Sequence, residues 1–199
     1  MIICGHPRSG TTLLNRLCNS HPDIVMTFEF KSFMQINASY KKYIKTLRKN
    51  WHQRRIVRLR NRESQYKSRI NSAIFLARYL IKLRQYRQDP INLYAILNIL
   101  HDIFPSASVV GDKKPTYIFN LDRLAKVEGL NRLVIYRDCR DVVRSAMEKN
   151  QRDNWGKKNL LRQQKQRSVG LKRLKIWKKT FIKYILFDMK TLSQIQKPF

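Results

Sequence analysis

A chain of 199 residues, 43% of them apolar, is long enough to bury one substantial core and too hydrophobic to be a disordered segment. Its 42 Lys+Arg against 13 Asp+Glu leave a formal charge of +29, which favours polyanionic partners (nucleic acid, sulfated or phosphorylated glycans, anionic membrane, charged nucleotides) without choosing among them. The cysteines, Cys4, Cys18 and Cys139, are odd in number and form no C-x-x-C pair, which argues against a disulfide framework or a zinc site and points to a reduced compartment.

In chain order, Ile2, Ile3 and Cys4 predict the end of a buried strand. Gly5 to Gly10 is a loop, and Thr11 to Ser20 reads as a helix with Leu13, Leu14, Leu17 and Cys18 on one face. His21-Pro22 closes it, because the residue before a proline avoids helical angles. Residues 24–36 (IVMTFEFKSFMQI) are mixed, apolar and aromatic, with Glu29 alone in the middle. Tyr40 to about Gln88 contains no Pro or Gly and predicts basic helix. Ile70, Ile74, Leu76, Tyr79, Leu80 and Leu83 give its second half a buried stripe, and its first half reads as a solvated cationic face. Asp89-Pro90 signals a helix start, Ile91 to Phe104 the helix, and Pro105 its stop.

Val109-Val110 predict a short strand, with GDKKP as the turn after it. Thr116 to Val127 predicts a helix closed by Gly129. Leu133 to Tyr136 is fully apolar and bounded by charge, the mark of a buried parallel strand, and RDCRDVVRSAMEK follows as loop and helix. Gln151 to Phe199 is basic and helical in pattern, with Trp155 and Trp177. Strands alternating with helices predict an α/β protein: a P-loop-type three-layer α/β/α fold with a central parallel sheet and a basic helical insertion. The longest apolar run, SAIFLARYLI, falls short of a bilayer span and carries Arg78, and Met1 runs straight into IIC with no charged leader. The chain therefore reads as soluble, unanchored and cytoplasmic.

The chemistry concentrates in CGHPRSGTTLL. Gly5 and Gly10 keep the glycine spacing of a phosphate loop, but Thr11 stands where a nucleotide hydrolase has lysine. A glycine loop entering a helix turns several backbone N–H groups toward one point, where the helix dipole adds positive charge. Thr11 and Thr12 add hydroxyl donors, and Arg8 adds a forked cation able to hold two anionic oxygens. Neither later strand supplies a plain metal-holding aspartate: Asp112 follows a glycine and Asp138 follows Arg137. A cation at the second strand end suits another anionic group on the ligand. The ligand is thus expected to be anionic at two places, one at residues 5–12 and one near Arg137, where Ser145 offers a hydroxyl.

GHPRSGTTLL, GDKKPTYIF and VIYRDCRDVVRSAMEK, in that order, resemble the P-loop sulfotransferases that use 3′-phosphoadenylyl sulfate (PAPS), in particular the Golgi-type and bacterial members. The resemblance implies a loop of Arg8, Ser9, Gly10, Thr11 and Thr12 that cradles the donor's 5′-phosphosulfate. It implies that Arg137 and Ser145, eight residues on, hold the 3′-phosphate. Arg8 and either Lys113 or Lys114, with Lys113 fitting the family position better, are implied as the cations that meet charge on the bridging oxygen. Glu29 is implied as the base that takes the acceptor's proton, its apolar sequence neighbours raising its pKa toward that task. No metal is implied. The acceptor is a hydroxyl or amine on a glycan, a protein tyrosine or a small molecule. An anionic glycan or protein is a candidate partner, and nucleic acid is disfavoured.

The resemblance covers residues 1 to about 150, and Cys139 stands where the family usually has proline. The domain reading is one unit over 1–199: a donor-binding core at 1–150 and a basic helical segment at 151–199, incomplete because relatives continue further. Two other readings share these residues: a non-catalytic basic polyanion binder, and a P-loop nucleotide kinase, which Thr11 opposes. Plainer roles also stand beside the functional ones. Glu29 is equally a surface charge or ion-pair partner, His6 packs the loop, His52 and His101 are structural, and Asp138 and Asp141 are structural, with Asp141 pairing Arg144.

Overall fold

The computed structural model describes residues 1–48, 65–153 and 185–188. The order is β1 (Ile2–Gly5), α1 (Thr11–Ser20), β2 (Ile24–Phe28), a 3-10 turn (Ser32–Gln35), α2 (Tyr40–Arg48), α3 (Gln65–Gln85), α4 (Leu93–Ile103), β3 (Val109–Lys113), a second 3-10 turn (Pro115–Asn120), α5 (Leu121–Ala125), β4 (Arg132–Tyr136), α6 (Cys139–Asp153) and β5 (Ile185–Asp188). The five strands form one sheet in the order β2-β3-β1-β4-β5, every neighbouring pair parallel.

Strand alternation sends successive side chains to opposite faces, and the core divides accordingly. Ile2 and Cys4 of β1 and Val134 of β4 join the larger cluster, which holds the buried faces of α2, α3 and α4. Ile3 of β1, Met26 of β2 and Ile135 of β4 face the other way and pack against Leu14 and Leu17 of α1. Both faces of the sheet are therefore covered, as the continuous apolar runs of β1 and β4 require. The helical insertion is tied in by aromatics. Phe30 stands edge-on to Phe75 and Tyr79 (centroids 5.0 and 4.7 Å), and the Tyr43 and Tyr79 hydroxyls lie 2.6 Å apart. Behind β4, Arg132 donates to the carbonyls of Leu124, Ala125 and Val127, closing the end of α5.

Several predicted elements are corrected. Residues 24–28, left as a mixed stretch, form edge strand β2, in register Phe28 to Lys113 with β3. The GDK of GDKKP continues β3 instead of turning. Gly111 sits inside the strand because the Met1 carbonyl oxygen passes 2.1 Å from where a Cβ would be. Helix α4 begins after Asn92, whose side chain accepts from the Ala95 N–H at 2.9 Å, and not at Asp89-Pro90. Residues 116–127 are mostly 3-10 turn with one short α-helix. Within the segment predicted helical at 151–199, Ile185–Asp188 is a strand beside β4. Trp155, Trp177, His52 and the basic stretch 49–64 lie outside the described residues.

Gly111→Ala tests the close approach of β3 to the start of β1. Forcing a methyl group against a fixed carbonyl is expected to destabilise the fold by about 1–3 kcal/mol, read as a lowered urea midpoint at unchanged slope. An unshifted midpoint would show that the two segments separate freely.

Candidate functional site

In a parallel sheet, ligands bind beyond the carboxyl ends of the strands where successive connections part to opposite sides. Here that point is β1, flanked by β3 and β4, and the glycine loop springs from its end. Gly5 is required because the Ile135 carbonyl of β4 lies 2.4 Å from where a Cβ would be. Gly10 takes a left-handed conformation (φ 94°) at the entry to α1, and Arg8 is also left-handed at φ 75°. No side chain caps α1 and its first turn holds no acid, so its leading N–H groups are left for an anion. Helix α6 differs: Asp138 accepts from the Arg140 N–H at 2.8 Å, and Asp141 sits in the first turn. The loop's hydroxyls are not equivalent. Ser9 and Thr11 are buried, with the Thr11 methyl packed toward Gly5, while Thr12 lies at the mouth. His6 Nδ1 donates to the Pro7 carbonyl at 2.7 Å, inside the loop.

On the β4 side of the loop, Arg8 donates from Nε and Nη2 to Ser145 Oγ at 3.2 and 2.9 Å. Arg137, just past the end of β4, places Nε 3.3 Å from Asp141 Oδ2. Asp141 and Ser145 are four residues apart on α6 and so share one face. Arg8 and Arg137, 129 positions apart in sequence, therefore meet consecutive turns of the same helix face. Asp141 was expected to pair with Arg144. It pairs with Arg137 instead, and Arg144 reaches forward to Glu148 at 3.4 Å.

On the β3 side, Lys113 is fully buried at the strand end. Its Nζ lies 3.1 Å from Glu29 Oε1, 3.5 Å from Thr12 Oγ1 and 3.4 Å from the centroid of the Phe28 ring. A buried ammonium needs such partners to offset its desolvation. Glu29 follows β2, where its N–H donates to the Lys113 carbonyl at 2.8 Å, and its left-handed backbone (φ 58°) turns its side chain toward that lysine. Lys114 alternates away. Burial, helped by the nearby Lys31 ammonium, holds its amine below the ordinary lysine value. Of the two lysines, Lys113 is the one that meets both Glu29 and the loop.

Asp112 has a role that the sequence alone did not reveal. It is fully buried and accepts from Thr27 Oγ1 (2.8 Å), the Phe30 N–H (3.1 Å), the Lys31 N–H (2.9 Å) and Tyr117 Oη (2.5 Å). Burial pushes its carboxyl above the usual aspartate value, and these donors pull the other way. A buried, fully satisfied carboxylate is a structural knot, and the only sequence signal for it was an acid inside an apolar strand context. Cys4 is likewise a core residue, its thiol pushed up to about 12 by burial. Among the described residues, no group of three or more His, Cys, Asp and Glu is placed to hold a metal, and no helix is long and apolar enough to cross a membrane.

The sequence matches the sulfotransferase family over residues 1–194. No curated protein matches it. Among solved structures, a sulfotransferase from Alicyclobacillus acidocaldarius is similar with a TM-score of 0.54 at 15% identity, over 97% of this chain and 74% of that one; this likeness supports the fold. With a family match across nearly its whole length, the chain belongs to the sulfotransferases.

Proposed function

We propose that the chain transfers a sulfuryl group from 3′-phosphoadenylyl sulfate to an acceptor hydroxyl or amine. The observation that carries this reading is Lys113, whose buried ammonium joins the Glu29 carboxylate to Thr12 at the loop mouth. The uncapped start of α1 suits the donor's phosphosulfate, with Arg8, Ser9, Gly10, Thr11 and Thr12 around it. Arg137 and Ser145, on the other side of β1, suit a 3′-phosphate. In the transfer, Glu29 takes the acceptor's proton as the acceptor oxygen or nitrogen bonds to sulfur. The bond from sulfur to the bridging oxygen breaks, and its electron pair leaves with 3′,5′-adenosine bisphosphate. Lys113 and Arg8 are fixed cations that meet the charge growing on that oxygen.

Release of 3′,5′-adenosine bisphosphate, followed over a panel of glycan, tyrosyl-peptide and small-alcohol acceptors, tests these roles. Glu29→Gln is expected to lower kcat about 10²–10⁴-fold, the range for a positioned base, while donor affinity holds. Lys113→Ala is expected to lower it about 10²–10³-fold, the loss for one electrostatic donor at a developing charge. A variant with undiminished kcat would remove that residue from the chemistry. Arg137→Ala is expected to weaken 3′,5′-adenosine bisphosphate binding about 10- to 100-fold, the worth of charge-assisted hydrogen bonds to one phosphate, as read by calorimetry. Unchanged affinity would move the 3′-phosphate away from α6.

A further inference from the structure

The Lys113 ammonium has a partner whose charge the transfer step does not change, and strand register supplies it. Strands β2 and β3 run parallel with Thr27 opposite Asp112 and Phe28 opposite Lys113. Residues opposite each other share a face of the sheet, and the next pair takes the other face. Thr27 and Asp112 meet on one face at 2.8 Å, where Tyr117 of the larger core joins them. Phe28 and Lys113 meet on the face of α1. There Nζ lies 3.4 Å from the centroid of the Phe28 ring, well inside the ~6 Å reach of a cation–π attraction, and 3.5 Å from Thr12 Oγ1.

The ring and the carboxylate hold the ammonium in different ways. Glu29 Oε1, 3.1 Å away, holds it by charge. In the transfer step described above the acceptor's proton goes to Glu29, so that carboxylate becomes neutral while Lys113 stays charged. The Glu29 side chain is 32% exposed and the Lys113 side chain 0%, so the loss falls on the lysine, which has no surface on which water could replace the missing charge. An ammonium buried without compensation is costly. The negative face of an aromatic ring is a fixed property of its π electrons and does not respond to proton movement nearby.

We propose that Phe28 is a positioning residue: its ring face keeps the Lys113 ammonium charged and beside Thr12 once Glu29 has taken a proton. The ammonium has three N–H donors on one nitrogen. Neutralising Glu29 releases the donor aimed at its Oε1 as charge grows on the bridging oxygen, and the ring holds Nζ in place while that donor turns to the oxygen. Proton uptake at the base and charge stabilisation at the leaving oxygen are thereby coupled through one lysine. Lys113 keeps its proton throughout, and no bond is made or broken at Phe28. The role in transfer rests on the sulfuryl-transfer reading above; the hold of the ring on the ammonium does not.

The test replaces Phe28 in the full chain by 4-fluoro-, 3,5-difluoro- and 3,4,5-trifluorophenylalanine. Each fluorine drains the π face while the ring keeps its shape and apolar character, so packing is held and only the attraction for a cation falls. Urea unfolding is followed for the series in the unaltered chain, in Glu29→Gln, which stands in for the protonated base, and in Lys113→Met, which removes the charge and keeps the stem; Lys113→Gln replaces the last if it does not fold. With Lys113 present, the unfolding constant is expected to rise stepwise by about 2- to 30-fold across the series, the worth of a partly to fully desolvated cation–π contact. The rise is expected to be at least as steep in Glu29→Gln and absent in Lys113→Met. The same slope in Lys113→Met, or none with Lys113 present, would overturn the contact. A slope lost in Glu29→Gln would show that the ammonium leaves the ring with its acid and would overturn the proposal. On an acceptor that the unaltered chain sulfates, kcat is expected to fall by a similar stepwise factor while 3′,5′-adenosine bisphosphate affinity holds; a flat kcat over a sloping stability would make the ring a structural partner only and overturn its positioning role. A chain that sulfates no acceptor would sink the transfer reading, and the unfolding arms decide the hold of the ring by themselves.

Discussion

The buried carboxylate of Asp112 holds together the part of the fold on which the chemistry depends. It takes a side-chain hydroxyl from β2, two backbone N–H groups from the turn after β2, and the Tyr117 hydroxyl from the turn after β3. That turn is strained, with Glu29 and Lys31 both left-handed at φ 58° and 69°. Such residues cost on the order of 1–3 kcal/mol each and persist only where their surroundings over-determine them. Asp112 supplies the surroundings, since the N–H groups it binds belong to Phe30 and Lys31, the two residues that follow Glu29 in the bend. The bend in turn delivers Glu29 to Lys113. A charge buried for structure thus sets the position of the half-buried carboxylate proposed as the base.

The sheet order divides the labour. Glu29 and Lys113 come from the β2-β3 side of the glycine loop, and Arg137 and Ser145 from the β4 side. Arg8 crosses to the β4 side from within the loop, so the loop's own cation touches the residues suited to a second anionic group. Asp141 sits where an anion would meet Arg137 and engages its Nε, while the planar fork can still present two N–H groups to one phosphate. The loop has no lysine of its own, and Lys113 approaches Thr12 from the neighbouring strand.

What the sequence showed plainly was local. The loop, its helix and the apolar run of β4 all lie within short windows, and each reads correctly from periodicity or spacing. The misreadings share a cause: a local rule was overridden by a distant partner. Gly111 and Asp112 look like a turn until the Met1 carbonyl and the four Asp112 donors are in place, and then they are strand. Residues 24–28 show no alternation because β2 packs toward both faces, Met26 against α1 and Val25 against the larger core. Strand β5 is four residues long in a basic stretch and exists only by pairing with β4. The partner of Asp141 was misassigned because two arginines stood at helical spacing from its neighbourhood and only the loop before α6 decided between them.

The central claim is that one small nucleotide is gripped at both anionic ends by side chains and backbone alone. Calorimetric titration of the full chain in EDTA, with 3′,5′-adenosine bisphosphate and separately with 5′-adenosine monophosphate, tests it most directly. The bisphosphate is expected to bind without added metal and at least about tenfold more tightly than the monophosphate, as one additional charge-assisted phosphate contact requires. Equal affinity for the two nucleotides, or binding that appears only when Mg²⁺ is restored, would contradict the account.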